Sequence, residues 1–248
     1  MLIRSGSYGV IYLEENKFIR KRVKVPSGIR AINNEINILL KLKGVDGVIQ
    51  IIDYQKSKLV PNFRVPFIKG GDLRDFMTRH HFITSCDDFD RYYEDVLHIT
   101  KQLVSVVEAI HLRNIAHLDL KPDNILIDED KTIYLADFGT ATENGSSPSE
   151  DHLVGSLQYV APEILAYELF IPIQADLWSL SVVVFQLLYH SLPFETALEN
   201  DLSYKAFLKD GTLWKKFMEA PQPFKDIIES GLQVNYQKRK LINSKLIV

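Results

Sequence analysis

The sequence predicts an α+β fold in two unequal lobes: a small, mainly β lobe with one helix over about residues 1–65, and a larger, mainly helical lobe over about 71–248. Three observations predict it. Strand-like alternation broken by polar turns dominates before residue 65, helical periodicity dominates after residue 71, and Pro66 with Gly70 and Gly71 marks a connection at about 66–70. A chain of 248 residues, 46% of them hydrophobic, is long enough to bury a sizeable core as one domain or two packed lobes.

In the first lobe, "YGVIYLEENKFIRKRVKV" reads as two extended runs around a polar "EEN" turn. In the second run Ile19, Lys21, Val23 and Val25 share one face and Phe18, Arg20, Arg22 and Lys24 the other, so Lys21 is a lone cation on an aliphatic face. That placement needs a partner for the charge, or else a sheet edge from which the side chain reaches water. The next segment, "GIRAINNEINILLKLKG", carries Ile32, Ile36, Leu39 and Leu40 at helical spacing, with Gly44 as C-cap. Glu35 lies beside that stripe and is a candidate partner for Lys21; a solvated Glu35 is the plainer alternative.

In the second lobe, Val96, Ile99, Leu103, Val106 and Ile110 mark a long amphipathic helix. Two short strands follow, "ILI" and "TIYLAD", joined by an acidic "DEDK" turn. A polar loop, "TENGSSPSEDHL", precedes "GSLQYVAPE", and residues 174–190 form a helix apolar nearly all round, hence buried.

Composition excludes some functions. A net charge of -3, from 29 basic and 32 acidic residues, gives no overall basic field for nucleic acid. The one cysteine, Cys86, rules out an internal disulfide and fits a reducing compartment. The longest apolar stretch, "LWSLSVVVFQLLYH", is short and interrupted by Ser and Gln, and "MLIRSGSYGV" lacks the apolar core of a secretory leader. The expectation is a soluble, cytoplasmic protein with no membrane insertion, lying in a host's cytosol if the source is a virus or a bacterial effector.

The densest polar chemistry is "HLDLKPDNIL" at residues 117–126. Alone it reads equally as a solvated loop. A hairpin after it returns the chain to "DFG" at 137–139, which brings Asp137 back beside Asp119 and Asn124. Two carboxylates and an amide are oxygen ligands of the kind Mg²⁺ prefers. With the cation Lys21 and the glycine-containing turn "GSYG", they form a phosphoryl-transfer constellation.

The order of the segments, "GSYGVI", Lys21, Glu35, "GGDL", "HLDLKPDN", "DFG", "APE" and "DLWSL", resembles the eukaryotic-type protein kinases over essentially the whole chain, and so implies the bilobal kinase fold. The resemblance implies ATP as phosphate donor and Mg²⁺ or Mn²⁺ held by Asn124 and Asp137. Asp119 matches the residue that accepts the proton of the substrate hydroxyl, and Lys121 the lysine that contacts the transferred phosphate. Lys21 matches the lysine on the α- and β-phosphates, steadied by Glu35. Gly6 and Gly9 match two glycines of the phosphate loop, and Ile11 and Ile19 belong to the same nucleotide site. Pro66 and Ile68 would offer backbone to adenine, Leu126 the pocket floor, and Asp72 a contact to ribose. Structural matches are the Glu163–Arg239 ion pair, Asp176 on the catalytic-loop backbone, and the apolar stack of His117, Phe138 and Leu39. Lys121 and "GSLQYVAPE", with Ser156 beside the catalytic Asp and Lys, resemble the Ser/Thr branch, whose partners are protein substrates.

The chain also departs from the family. Leu118 replaces the Arg that pairs with a phosphorylated residue in the activation segment, so activity is expected not to depend on phosphorylation there, including at Ser146, Ser147 and Ser149. Arg4 stands where the first glycine of the phosphate loop is usual, Ile19 where a small Ala is usual, and Ser181 where Gly is usual. The alternative reading is a pseudokinase or decoy that binds a partner kinase or scaffold. A small-molecule kinase fits less well, because "GSLQYVAPE" belongs to a peptide-docking surface.

Overall fold

The computed structural model describes residues 1–5, 9–80, 86–143, 155–210 and 220–247. Strands β1 (Leu2–Ser5), β2 (Gly9–Glu14), β3 (Phe18–Val23), β4 (Asp53–Gln55) and β5 (Asn62–Pro66) form one antiparallel sheet in the order β1-β2-β3-β5-β4. β3 is therefore the middle strand, which removes the sheet edge as an explanation for Lys21. Its neighbours across the strands are Ile11 on β2 and Phe63 on β5, while Ile19 faces Leu13 and Val65. The strand ends at Val23, so Val25 does not continue the aliphatic face; it lies exposed in the turn beyond.

Helix α1 (Gly28–Lys41) covers that face with Ile32, Ile36 and Leu39, all buried. The helix stops earlier than expected. Leu42 caps it through its backbone N–H to the Ile38 carbonyl, and Gly44, at φ +75°, makes the left-handed turn after the cap rather than the cap itself. The opposite face of the sheet is polar: Arg20 donates to Glu14 at 2.6 Å and to Asn62 at 2.7 Å, and Arg64 pairs with Asp53. These are half-exposed pairs that add little stability singly.

The chain leaves the sheet at Pro66 and crosses to the helical lobe through Phe67–Gly71. A side chain at Gly70 would run into the Ile127 carbonyl, so glycine lets the crossing lie flat against the hairpin below. That lobe contains α2 (Leu73–Arg79), α3 (Cys86–His111), α4 (Pro162–Leu165), α5 (Pro172–Tyr189), α6 (Leu202–Asp210) and α7 (Gln222–Gly231). All five apolar positions singled out on α3 are buried. α5 starts two residues earlier than its pattern suggests, because Pro172 suits a first helical turn. It is the central post of the lobe, and α7 packs across it. Ser181 fits at that crossing because Gly231 stands opposite, and its hydroxyl donates to the Ile227 carbonyl at 3.0 Å.

Two small antiparallel pairs complete the frame: β7 (Ile125–Ile127) with β8 (Ile133–Leu135), and β6 (Ile115–Ala116) with β9 (Thr142–Glu143). Glu163 on α4 meets Arg239 in a buried two-pronged ion pair of 2.6 and 2.8 Å, and the guanidinium also lies over the Trp178 ring. Among the described residues, no helix is long and apolar enough to cross a membrane.

Removing the cation from that pair strands a buried carboxylate. Arg239→Ala is expected to cost about 3–5 kcal/mol of unfolding free energy, read as a lowered midpoint in urea, whereas truncating Arg64, on the solvent side of the sheet, should leave that midpoint almost unchanged.

Candidate active site

Lys21 sits at the meeting point of three elements. Its Nζ lies 2.7 Å from Glu35 Oε2 on α1 and 2.7 Å from Asp137 Oδ1, just after β8. The Lys21–Asp137 contact joins residues 116 positions apart. Burial works to lower the Lys21 pKa, but the two carboxylates outweigh it and hold it above the usual lysine range, so the ammonium stays charged. Burial likewise works to raise Asp137, and Lys21 outweighs it, bringing the carboxyl from 3.8 down to about 2. Burial pushes the Glu35 carboxyl up to about 7, against the pull of Lys21.

Asp137 takes a left-handed backbone conformation at φ +61°, which Asp tolerates better than most residues. The turn it starts drops Phe138 into the core, edge-on to His117 at a ring separation of 4.7 Å. His117 donates from Nε2 to the Ala136 carbonyl at 2.9 Å and accepts the Asp119 N–H at Nδ1, a network that places the ring proton on Nε2. Leu39 is buried on α1, as the expected apolar stack requires.

The catalytic-loop backbone hangs on one carboxylate. Asp176, fully buried on α5, accepts the N–H groups of His117 and Leu118, each at 2.8 Å, and faces His111 Nε2 at 2.9 Å. Leu118 is held at φ +62°, a conformation costing about 1–2 kcal/mol for a residue with a Cβ. Its side chain is buried among apolar neighbours. Gly155 follows the same logic at φ +96°: a Cβ there would lie 2.8 Å from the Leu118 carbonyl oxygen.

Around Asp119 three donors converge. Lys121 Nζ reaches Asp119 Oδ2 at 2.7 Å, the Ser156 hydroxyl donates to Oδ1 at 3.0 Å, and Asn124 Nδ2 donates to Oδ2 at 2.9 Å and to the Asp119 carbonyl at 2.8 Å. Lys121 also donates to Ser156 Oγ at 2.8 Å. The Asn124 amide nitrogen is committed to Asp119, which leaves the amide oxygen as the atom of that side chain able to take a cation. The Ala136 N–H donates to the Asn124 carbonyl at 2.9 Å, which seats Asp137 next to Asn124. An amide oxygen and a half-exposed carboxylate are hard donors, so the pair fits a small divalent cation. Among the described residues, no cluster of three or more His, Cys, Asp or Glu forms a metal site of another kind.

The remaining expected residues take the following places. Gly9 opens β2, Ile11 and Ile19 lie on the sheet face that carries Lys21, Pro66 ends β5, and Ile68 is buried in the crossing. Leu126 is bridged to Asp72, whose carboxylate caps α2 by accepting the Asp75 N–H at 2.9 Å. Gly6, Ser146, Ser147 and Ser149 lie outside the described residues. Three supporting contacts have no signal in the sequence. Asn34 donates to the Ala141 carbonyl at 2.8 Å, Lys41 pairs with Glu143, and Arg74 grips Asp123. His111 is a further supporting group, with only its position in the last turn of α3 to flag it.

The depressed Asp137 carboxyl links Lys21 to acid stability. Its contribution is fully present above pH 3.8 and is lost as pH falls toward 2. In Lys21→Met, Asp137 should titrate at or above 3.8 by carbon-detected NMR, and that acid-sensitive contribution should vanish.

Comparison with known proteins agrees with this geometry. The protein kinase domain family model matches residues 5–246. Calcium/calmodulin-dependent serine/threonine-protein kinase 1 of Oryza sativa subsp. japonica is 31% identical over 219 residues, covering 85% of this chain and 34% of that protein. CBL-interacting protein kinase 12 of the same species is 31% identical over 206 residues, covering 78% of this chain and 36% of the relative. Serine/threonine-protein kinase RAD53 of Saccharomyces cerevisiae is 30% identical over 241 residues, covering 90% of this chain and 28% of the relative. The chain thus spans roughly a third of the length of these relatives. The family implies ATP, a divalent metal and protein substrates. The matched domain, the bridged Lys21 and the Asp119–Lys121–Ser156 cluster agree, and the chain belongs to the protein kinase family.

Proposed function

We propose that this chain, acting as a single kinase domain in the cytoplasm, transfers the γ-phosphate of ATP to Ser and Thr hydroxyls of proteins without needing phosphorylation of its own segment between Asp137 and Glu163. The observation that carries this reading is the trio of Asp119, Lys121 and Ser156, in which a carboxylate and an ammonium are already set to engage a hydroxyl. Ser156 Oγ is a stand-in for that chemistry, since it donates to Asp119 while accepting from Lys121.

In the proposed reaction Asp119 takes the proton as the substrate oxygen attacks the γ-phosphorus, the bond from that phosphorus to the bridging oxygen breaks, ADP leaves, and Lys121 balances charge on the moving phosphoryl group. Lys21, fixed by Glu35, serves the α- and β-phosphates. Ile11, Ile19, Ile68, Leu126 and the backbone at Pro66 enclose the adenine, and Asp72 serves the ribose. Gly6 and Gly9, matched to the glycines of the phosphate loop, serve the phosphates in this reading. Asn124 and Asp137 would hold Mg²⁺, which when bound neutralises phosphate charge.

Independence from phosphorylation is supported by two features. Leu118 offers no charge for a phosphate to meet. The start of the segment is tied down by other contacts instead: β9 pairs with β6, Thr140 Oγ1 donates to the His117 carbonyl at 3.0 Å, Asn34 holds Ala141, and Lys41 holds Glu143. The pseudokinase reading is favoured by one observation, Arg4 in place of the first phosphate-loop glycine.

Transfer from ATP to a generic Ser/Thr protein substrate should fall about 10²–10⁴-fold in Asp119→Asn, and Asp137→Asn should lose it as well. The triple variant Ser146→Ala, Ser147→Ala, Ser149→Ala should keep wild-type transfer. A silent wild type that still binds nucleotide in a thermal-shift assay would support the pseudokinase instead.

A further inference from the structure

Beside the Asp119 cluster lies an ion pair that the proposed reaction does not use. Arg74, in the first turn of α2, reaches across to the catalytic loop, where Nε meets Asp123 Oδ1 at 3.1 Å and Nη2 meets Oδ2 at 2.7 Å. This is the two-pronged geometry in which a guanidinium recognises a carboxylate best. Asp123 stands two residues from Lys121 and next to Asn124. Tyr159, three residues past Ser156, also faces Arg74, and its hydroxyl donates to Gln186 at 2.8 Å. The pair therefore links α2 to the loop that carries Asp119 and lies against Tyr159, on the segment that carries Ser156.

Carboxylates crowd this corner. Asp72 is raised by burial and by the neighbouring charges of Asp75 and Asp123. Asp72 and Asp75 are engaged in the capping box of α2, while both oxygens of Asp123 are given to Arg74. Burial would raise Asp123, but Arg74 outweighs it and keeps the carboxyl below its ordinary range. The Arg74 side chain is 47% exposed and that of Asp123 19%, so the pair is within reach of a docking peptide.

We infer that Arg74 is a specificity-determining residue: it fills, from within the chain, the carboxylate of Asp123 that an arginine or lysine of a substrate would otherwise grip, and so turns the site away from basic peptides. The inference rests on the proposed reading of this cleft as a peptide-phosphorylating site. A substrate cation approaching Asp123 must displace a pre-formed pair and meets the positive charge of Arg74 first. An acidic side chain meets the half-exposed guanidinium instead.

The test is a binding measurement, independent of phosphate transfer. Two fluorescent peptides of equal length are used, one with Arg and one with Glu flanking a central Ala that replaces the acceptor, and their anisotropy is followed at low salt with the full chain. Arg74→Gln should raise the affinity ratio of the Arg peptide over the Glu peptide roughly two- to fivefold, as expected for a half-exposed charged pair. Adding Asp123→Asn to that variant should return the ratio toward wild type, and Arg74→Lys should fall between. Asp123→Asn alone, which frees Arg74, should instead improve binding of the Glu peptide; should Arg74→Gln fail to fold, the absence of that gain would by itself overturn the inference. An unchanged ratio in a folded Arg74→Gln, or a gain that survives Asp123→Asn, would mean that Arg74 only braces α2 and would overturn it equally. A wild type that shows these charge effects but no transfer would overturn the proposed activity and leave the role of Arg74 standing.

Discussion

An ammonium on the apolar face of a central strand is tolerable only where carboxylates come to meet it, and the architecture of this chain follows from how Lys21 is met. Neither partner lies on its own sheet. Glu35 arrives on α1, which fixes the rotation of that helix against the sheet, and Asp137 arrives from the helical lobe, which fixes the sheet over the catalytic loop. One cation thereby sets the relative position of two consecutive elements, β3 and α1, and of a third that comes 116 residues later in the chain. The cost of burying the charges is offset only while all of them are in place.

A second constraint has the same form with the signs reversed. Asp176, fully buried on α5, is satisfied by backbone N–H groups of His117 and Leu118 and by the His111 ring. Those contacts hold Leu118 in a backbone conformation it would not choose, and the chain beyond it presents Asp119 to Lys121, Asn124 and Ser156. Strain at Leu118 is thus the local cost of aiming the next residue. Gly155 answers it from the other side, since only a residue without a Cβ passes so close to the Leu118 carbonyl. With Leu118 packed into the core rather than extended as a cation, the neighbouring segment is held by Asn34, Lys41 and strand pairing instead.

Much of this was legible in the sequence because it is local or patterned. Alternation put Lys21 on an apolar face, helical spacing set Glu35 beside the stripe of α1, and the short hairpin returned Asp137 to Asn124. What the sequence left open was long-range. Nothing in the alternation of β3 says whether it is an edge or a middle strand; the pairing with β5, a strand that comes only after α1 and β4, decides that. Gly44 has the marks of a helix cap because glycine after an apolar run usually is one, but Leu42 closes α1 and Gly44 serves the next turn. Arg74 and Asp123, 49 residues apart, read as two solvated charges until the crossing at Gly70 folds α2 against the catalytic loop.

If one buried cation sets the sheet and α1 together, Lys21 and Glu35 must act as a single unit. The decisive measurement is a double-mutant cycle on unfolding free energy, with Lys21→Met, Glu35→Gln and the two combined. Strong coupling is expected, about 1–3 kcal/mol, with the loss in the double variant well short of the two single losses added together. Additive losses would contradict it, because they would mean that the two charges are held by their surroundings independently and that the lobes are aligned by something else.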